Sequence, residues 1–119
     1  MMKVKELEKT FVLQQGHSDC GVACLLSLIN YYGGTTTLEK LRETSGTNTQ
    51  GTTLLGLYQG ANQIGFEASG CEADIQALID HKEPLILHVL IDERLQHYVI
   101  CYGYENEQFI IGNPATGIS

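Results

Sequence analysis

Four cysteines and four histidines are the residues of this 119-residue chain suited to nucleophilic chemistry. One cysteine stands apart. In Gln14-Gln15-Gly16-His17-Ser18-Asp19-Cys20-Gly21-Val22-Ala23-Cys24, polar residues and a glycine precede Cys20 and an apolar run follows it. A cysteine placed where a loop turns into a helix lies at the positive end of the helix dipole, which favours thiolate over thiol. The thiolate is the nucleophile of cysteine catalysis. Ser18 or Asp19 is placed to cap that helix, a short side-chain oxygen accepting an amide N–H of the first turn. Cys24 lies one turn on, inside the apolar run, and Cys101 lies inside Tyr98-Val99-Ile100-Cys101-Tyr102. Both read as small buried hydrophobes.

A catalytic cysteine needs a histidine to take its proton and a third group to orient that histidine. His81 sits in a polar loop beside Lys82 and reads as surface; His88 is mid-strand and reads as a core residue. His17 is near Cys20 in sequence but has nothing obvious to orient it. His97 has support from hairpin geometry. Two strand-like runs, 97–104 and 108–112, flank a turn around Glu105-Asn106-Glu107. A hairpin centred near residue 105 sets His97 opposite Asn113, where directly opposed Cβ atoms are roughly 5 Å apart. Asn113 can then orient the imidazole, or it can merely start a turn with Pro114. The oxyanion needs two donors, the Cys20 backbone N–H and one from the loop before it. Gln14 and Gln15 are both candidates for the second.

These residues are positioned by an ordered series of elements. Residues 1 to 13 read as a polar lead-in ending in the apolar anchor Phe11-Val12-Leu13. The cysteine helix runs to Tyr31 or Tyr32 and stops at Gly33-Gly34, as glycine past a helix C-terminus does. Thr37 caps a second short helix, Leu38 to Glu43, and Thr52 or Thr53 opens a third that stops near Gly65. Phe66 to Cys71 reads as a short extended piece, and Asp74 to Ile79 as a fourth helix. The runs Leu85–Ile91, His97–Tyr104 and Gln108–Gly112 are strand-like, with Asp92-Glu93-Arg94 as a break. Helices first and an antiparallel sheet afterwards predict an α+β domain.

Composition limits the function. The length suits one domain, and 43% hydrophobic residues is an ordinary globular value. A net charge of −7 argues against a general nucleic-acid binder, which needs a basic face. No apolar run approaches the roughly 20 residues that span a bilayer, and the N-terminus lacks the apolar core of a secretory signal. The cysteines are expected to be reduced thiols, and none has C-x-x-C spacing; no metal or cofactor is called for.

Taken as an ordered set, these motifs resemble the C39 peptidase family, the bacteriocin-processing cysteine peptidases that form the cytosolic N-terminal domain of peptidase-containing ABC transporters. Gln14 followed by Asp19-Cys20-Gly21 is similar to the family's cysteine motif, with Val22-Ala23-Cys24-Leu25 fitting the following helix. His97-Tyr98-Val99 resembles its histidine motif, and Ile111-Gly112-Asn113-Pro114-Ala115-Thr116-Gly117 the segment of its third catalytic residue. The resemblance implies a papain-like α+β fold, N-terminal helices packed on a C-terminal antiparallel sheet. It implies cleavage of a leader peptide after Gly-Gly, coupled to export, on the cytoplasmic side of the membrane. The implied partners are the leader of the cargo precursor and the transmembrane and ATP-binding domains of the transporter. Within the site it implies Cys20 as nucleophile, His97 as base, Asn113 orienting the base, and Gln14 with the Cys20 amide as the oxyanion hole.

The likeness has two departures. Many members carry aspartate where this chain has Asn113, and asparagine stabilises an imidazolium less than a carboxylate does. Family domains also continue past this point, so residues 1–119 are expected to be a C39 peptidase-like domain lacking its C-terminal end. A second expectation is a leader-binding or regulatory domain without turnover, and a third a papain-like acyltransferase.

Overall fold

The structure, a computed structural model, describes residues 3–91 and 95–119. Five helices come first: α1 (Val4–Thr10), α2 (Cys20–Tyr31), α3 (Leu38–Ser45), α4 (Leu54–Gln63) and α5 (Ile75–Asp80). Four strands follow: β1 (Leu85–Ile91), β2 (Leu95–Glu105), β3 (Gln108–Asn113) and β4 (Gly117–Ile118). They form one antiparallel sheet in the order β1-β2-β3-β4. This is the α+β arrangement expected, with helices packed on the sheet. The break expected at Asp92-Glu93-Arg94 lies outside the described residues.

The apolar run after Cys20 makes α2 the central helix. Val22, Ala23, Cys24, Leu25, Leu26 and Ile29 are all buried, in one cluster with Tyr98, Ile100 and Tyr102 from one face of β2. Its end is a glycine-terminated motif. Gly33 adopts φ +85, its N–H bonds to Asn30 O, and the Gly34 N–H bonds to Ile29 O. Three later helices start on side-chain caps. Thr37 accepts from the Lys40 amide, Thr53 from Gly56 and Asp74 from Ala77.

Several elements differ from expectation. The lead-in contains α1, held by Leu7, its one buried residue. Phe11 and Val12 anchor against the core, but Leu13 is exposed. Residues 66–71 form no strand. His88 is exposed on β1 and stacks on the opposed Tyr98 ring, with centroids 4.6 Å apart, so it is not a core residue. The short strand β4 was not anticipated.

The hairpin closes more tightly and later than expected. Asn106 and Glu107 both take positive φ, 53° and 63°, and Glu105 pairs with Gln108. This two-residue turn matches the strand twist, and asparagine tolerates its left-handed backbone. A register irregularity between Cys101 and Gly103 follows, and Ile100 pairs with Gly112. Continued by one residue, that register sets Asn113 beside Val99 rather than directly opposite His97.

Candidate active site

Cys20 is the first residue of α2 and is 8% exposed. Gly21 brings this helix end against the sheet. A Cβ added there would lie 3.1 Å from Tyr98 Cδ2 and 3.4 Å from Thr52 Cβ, a tight fit in which the Tyr98 ring would have to give by a few tenths of an ångström. The Tyr98 hydroxyl donates to Thr52 O at 2.9 Å, joining β2 to the segment before α4. Burial pushes that hydroxyl's pKa up to about 12, which keeps it a donor. The neighbour of Cys20 thus touches the neighbour of His97. Among the described residues, no hydrogen bond joins the Cys20 thiol itself to the His97 ring.

His97 is buried and its Nε2 lies 2.8 Å from Asn113 Oδ1. The contact is diagonal across the hairpin, between side chains on the same face, and not between opposed residues. The same Oδ1 also accepts the Ala115 N–H at 2.9 Å. A backbone donor on that atom identifies it as the amide oxygen, so His97 Nε2 must carry the proton and donate. The other ring nitrogen, Nδ1, then has a free lone pair. Asn113 also starts the expected turn, since Thr116 N–H bonds to its carbonyl at 3.0 Å. The two readings of Asn113 hold together: the turn that uses its side-chain oxygen presents the same oxygen to His97.

Gln14 is brought to this end of the sheet by three links. Ser27, fully buried on α2, accepts the Val12 N–H at 2.8 Å and donates to Ala23 O at 2.8 Å. Asn30 Nδ2 donates to Thr10 O at 3.1 Å. The Gln14 N–H then bonds to Pro114 O at 2.8 Å, next to Asn113. The Gln14 side-chain oxygen is buried without a hydrogen-bond partner among the described residues. A buried polar atom left open costs about 1–3 kcal/mol; the open atom is the acceptor oxygen, and the side-chain NH2 is the group that can donate. Gln15, the other candidate, is exposed and accepts from Arg42 Nη2 at 3.1 Å through its side-chain oxygen.

Asp19 occupies the N-cap position of α2 but does not cap the helix with its side chain. Both carboxylate oxygens are taken by Arg42 of α3, with Nε to Oδ1 at 2.9 Å and Nη2 to Oδ2 at 2.7 Å. The guanidinium holds this carboxyl below the usual carboxylate range. Sequence reasoning missed Arg42, because an ion pair between residues 19 and 42 has no local signature. The other histidines lie apart: His17 and His81 are exposed. The remaining thiols are Cys24 and Cys101, both buried and with their pKa raised by that burial, and the exposed Cys71. No three His, Cys, Asp or Glu side chains cluster as metal ligands among the described residues.

The lactococcin-G-processing and transport ATP-binding protein LagD of Lactococcus lactis is 35% identical over 111 residues. That match covers 92% of this chain but 16% of the relative, so the chain spans a small part of the curated relatives it matches. The crystal structure of the peptidase domain of Streptococcus ComA, a bi-functional ABC transporter, superposes with a TM-score of 0.83 at 42% identity. It covers 91% of this chain and 82% of that one. A double glycine motif protease from an AMS/PCAT transporter, solved with its leader peptide, superposes with a TM-score of 0.81 at 25% identity, covering 91% and 75%. The family model for peptidase C39 matches residues 8–119, and the chain belongs to the peptidase C39 family.

Proposed function

We propose that this chain is the peptidase domain of a longer ABC exporter and cuts the leader of a secreted peptide after a Gly-Gly pair. Cys20 is the nucleophile, His97 the general base, Asn113 its orienting partner and Gln14 a donor to the oxyanion. The observation that carries this reading is the His97–Asn113 bond, with the Ala115 N–H fixing which atom is oxygen. It leaves Nδ1 as the proton acceptor, the tautomer that a cysteine–histidine pair requires.

In the reaction His97 Nδ1 takes the Cys20 thiol proton, and the thiolate attacks the carbonyl carbon of the second glycine. The Gln14 amide N–H and the Cys20 backbone N–H receive the developing oxyanion. His97 protonates the departing amine, the C–N bond breaks, and a thioester remains. His97 then takes a proton from water, which attacks the thioester and releases the Gly-Gly carboxyl with the thiol restored. Glycine at both positions suits a cleft closed to side chains, a selection by steric clash.

The rest of the leader needs an apolar surface. Leu54, Leu55 and Tyr58 on α4 are 52%, 63% and 44% exposed. The α4 start adjoins the cysteine, because Thr52 touches both Gly21 and the Tyr98 hydroxyl. This patch fits the apolar side of a leader. No helix among the described residues is long and apolar enough to cross a membrane. The membrane and ATP-binding parts would belong to the remainder of the transporter, and this domain would work on its cytoplasmic side.

The test is mass spectrometry of a double-glycine leader incubated with the parent and with Cys20→Ala. Cleavage after Gly-Gly by the parent alone is the expected result. Leader binding without cleavage by the parent would favour the non-catalytic alternative.

A further inference from the structure

The start of α2 carries a carboxylate directly beside the residue read as the nucleophile. Asp19 is 4% exposed and adjoins Cys20 in the chain. A buried negative charge at that position opposes formation of a second one on Cys20. The other ionisable groups around this helix end do little to offset it. Cys24 and Tyr98 both have their pKa raised by burial and stay neutral at working pH. Among the described residues, Arg42 is the cation paired with Asp19. Its guanidinium takes both Asp19 oxygens at 2.9 and 2.7 Å, and its Nη2 also reaches Gln15 Oε1 at 3.1 Å. One side chain of α3 therefore ties both ends of the loop from Gln15 to Asp19, whose neighbours are Gln14 and Cys20. The Arg42 side chain remains 33% exposed, so it is an anchor at the edge of the core and not a core residue.

We propose that Arg42 is a positioning residue for the peptidase reaction: it cancels the Asp19 charge beside Cys20 and holds the loop that runs from Gln14 to the cysteine. The proposal rests on the reading of Cys20 as nucleophile and Gln14 as oxyanion donor. It has two separable parts, a charge and a geometry. Lysine would keep the charge but not the planar fork that binds two oxygens and Gln15 together. Removing both Asp19 and Arg42 charges would relieve the electrostatic conflict while leaving the loop untied.

The experiment measures alkylation of Cys20 by iodoacetamide against pH, resolved from Cys71 by peptide mass spectrometry, together with leader cleavage. The proteins are the parent, Arg42→Gln, Arg42→Lys and Asp19→Asn/Arg42→Gln. For Arg42→Gln the midpoint of the alkylation profile should rise by about one unit, read as tenfold slower alkylation at a fixed pH below it. Its kcat should fall about tenfold or more, with KM within about twofold. For Arg42→Lys the midpoint should stay near the parent's while cleavage drops several-fold. The double variant should recover the midpoint but not the cleavage rate.

An Arg42→Gln midpoint and kcat both equal to the parent's would overturn the proposal. A double variant with the same raised midpoint as Arg42→Gln would overturn the charge part, because a merely structural loss would not be relieved by removing the carboxylate. If Arg42→Gln does not fold, Arg42→Lys against the parent still decides the geometric part. A parent that alkylates at Cys20 but cuts no leader counts against the peptidase reading, and the alkylation profiles still decide the charge part.

Discussion

Cys20 and Cys24 are the same residue type, one turn apart on one helix, and the two turns have opposite chemistry. Cys24 is fully buried among Val22, Leu25 and Ile29, and burial pushes its thiol well above the ordinary range. Cys20 lies at the helix start, where Asp19, Arg42 and Gln15 form a polar cluster and the Gln14 amide oxygen is left open. The difference lies in what the preceding five residues and α3 bring to the first turn. Nothing comparable reaches the second. A helix start gives a cysteine its field, but the loop before it decides whether that field meets a substrate.

The comparison breaks most sharply on the nucleophile. Cys20→Ala is expected to abolish leader cleavage, whereas Cys24→Ala should leave kcat within about twofold. Cys24→Ala should instead lower the unfolding free energy by about 1–2 kcal/mol through the cavity it leaves, read by urea titration. Equal loss of cleavage in both variants would erase the distinction between the two turns. His97→Gln is next, with a loss of about a thousandfold in kcat/KM, since general base and leaving-group acid are removed together. Gln14→Ala should cost about a hundredfold in kcat with little change in KM, because an oxyanion donor acts in the transition state.

Asn113 sharpens the account at smaller amplitude. Asn113→Ala removes the acceptor of both His97 Nε2 and the Ala115 N–H, and a tenfold or greater fall in kcat is expected, with some loss of stability. Asn113→Asp keeps both bonds and adds a charge that favours the imidazolium. It should raise the upper limit of the pH range in which His97 is protonated, seen by NMR titration of the ring. The smallest effect concerns acid stability. Arg42 lowers the folded-state pKa of Asp19 below its ordinary 3.8. Its contribution is full above that unfolded value and is lost as pH falls through the folded one. Asp19→Asn should therefore flatten the fall in urea midpoint below about pH 4 relative to the parent.

Much of this was legible in the sequence where local rules govern. The α2 run, the Thr37 cap, a third helix opening at Thr52 or Thr53 and the three longer strands follow from periodicity and short-range side-chain chemistry. Helix α1 was missed because its seven residues offer one buried side chain, Leu7, too few for a period to show. Asn113 was found through an expected register that proved offset. The two-residue turn at Asn106-Glu107 moved the pairing, and the contact survived because His97 and Val99 share a face. The choice between Gln14 and Gln15 could not be made from spacing. The Gln14 backbone N–H bonds to Pro114 O, a link across a hundred residues of chain that spacing does not show. Arg42 was invisible for the same reason, as Asp19 looked like a helix cap until its partner on α3 was known.

The most direct test of the central claim uses a leader peptide ending in a Gly-Gly chloromethyl ketone. A thiolate in the cleft displaces chloride and leaves a thioether that peptide mapping can place. The account predicts the adduct on Cys20, absent from Cys24 and Cys71, and suppressed by excess unmodified leader. An unlabelled Cys20, or an adduct carried equally by the exposed Cys71, would contradict it.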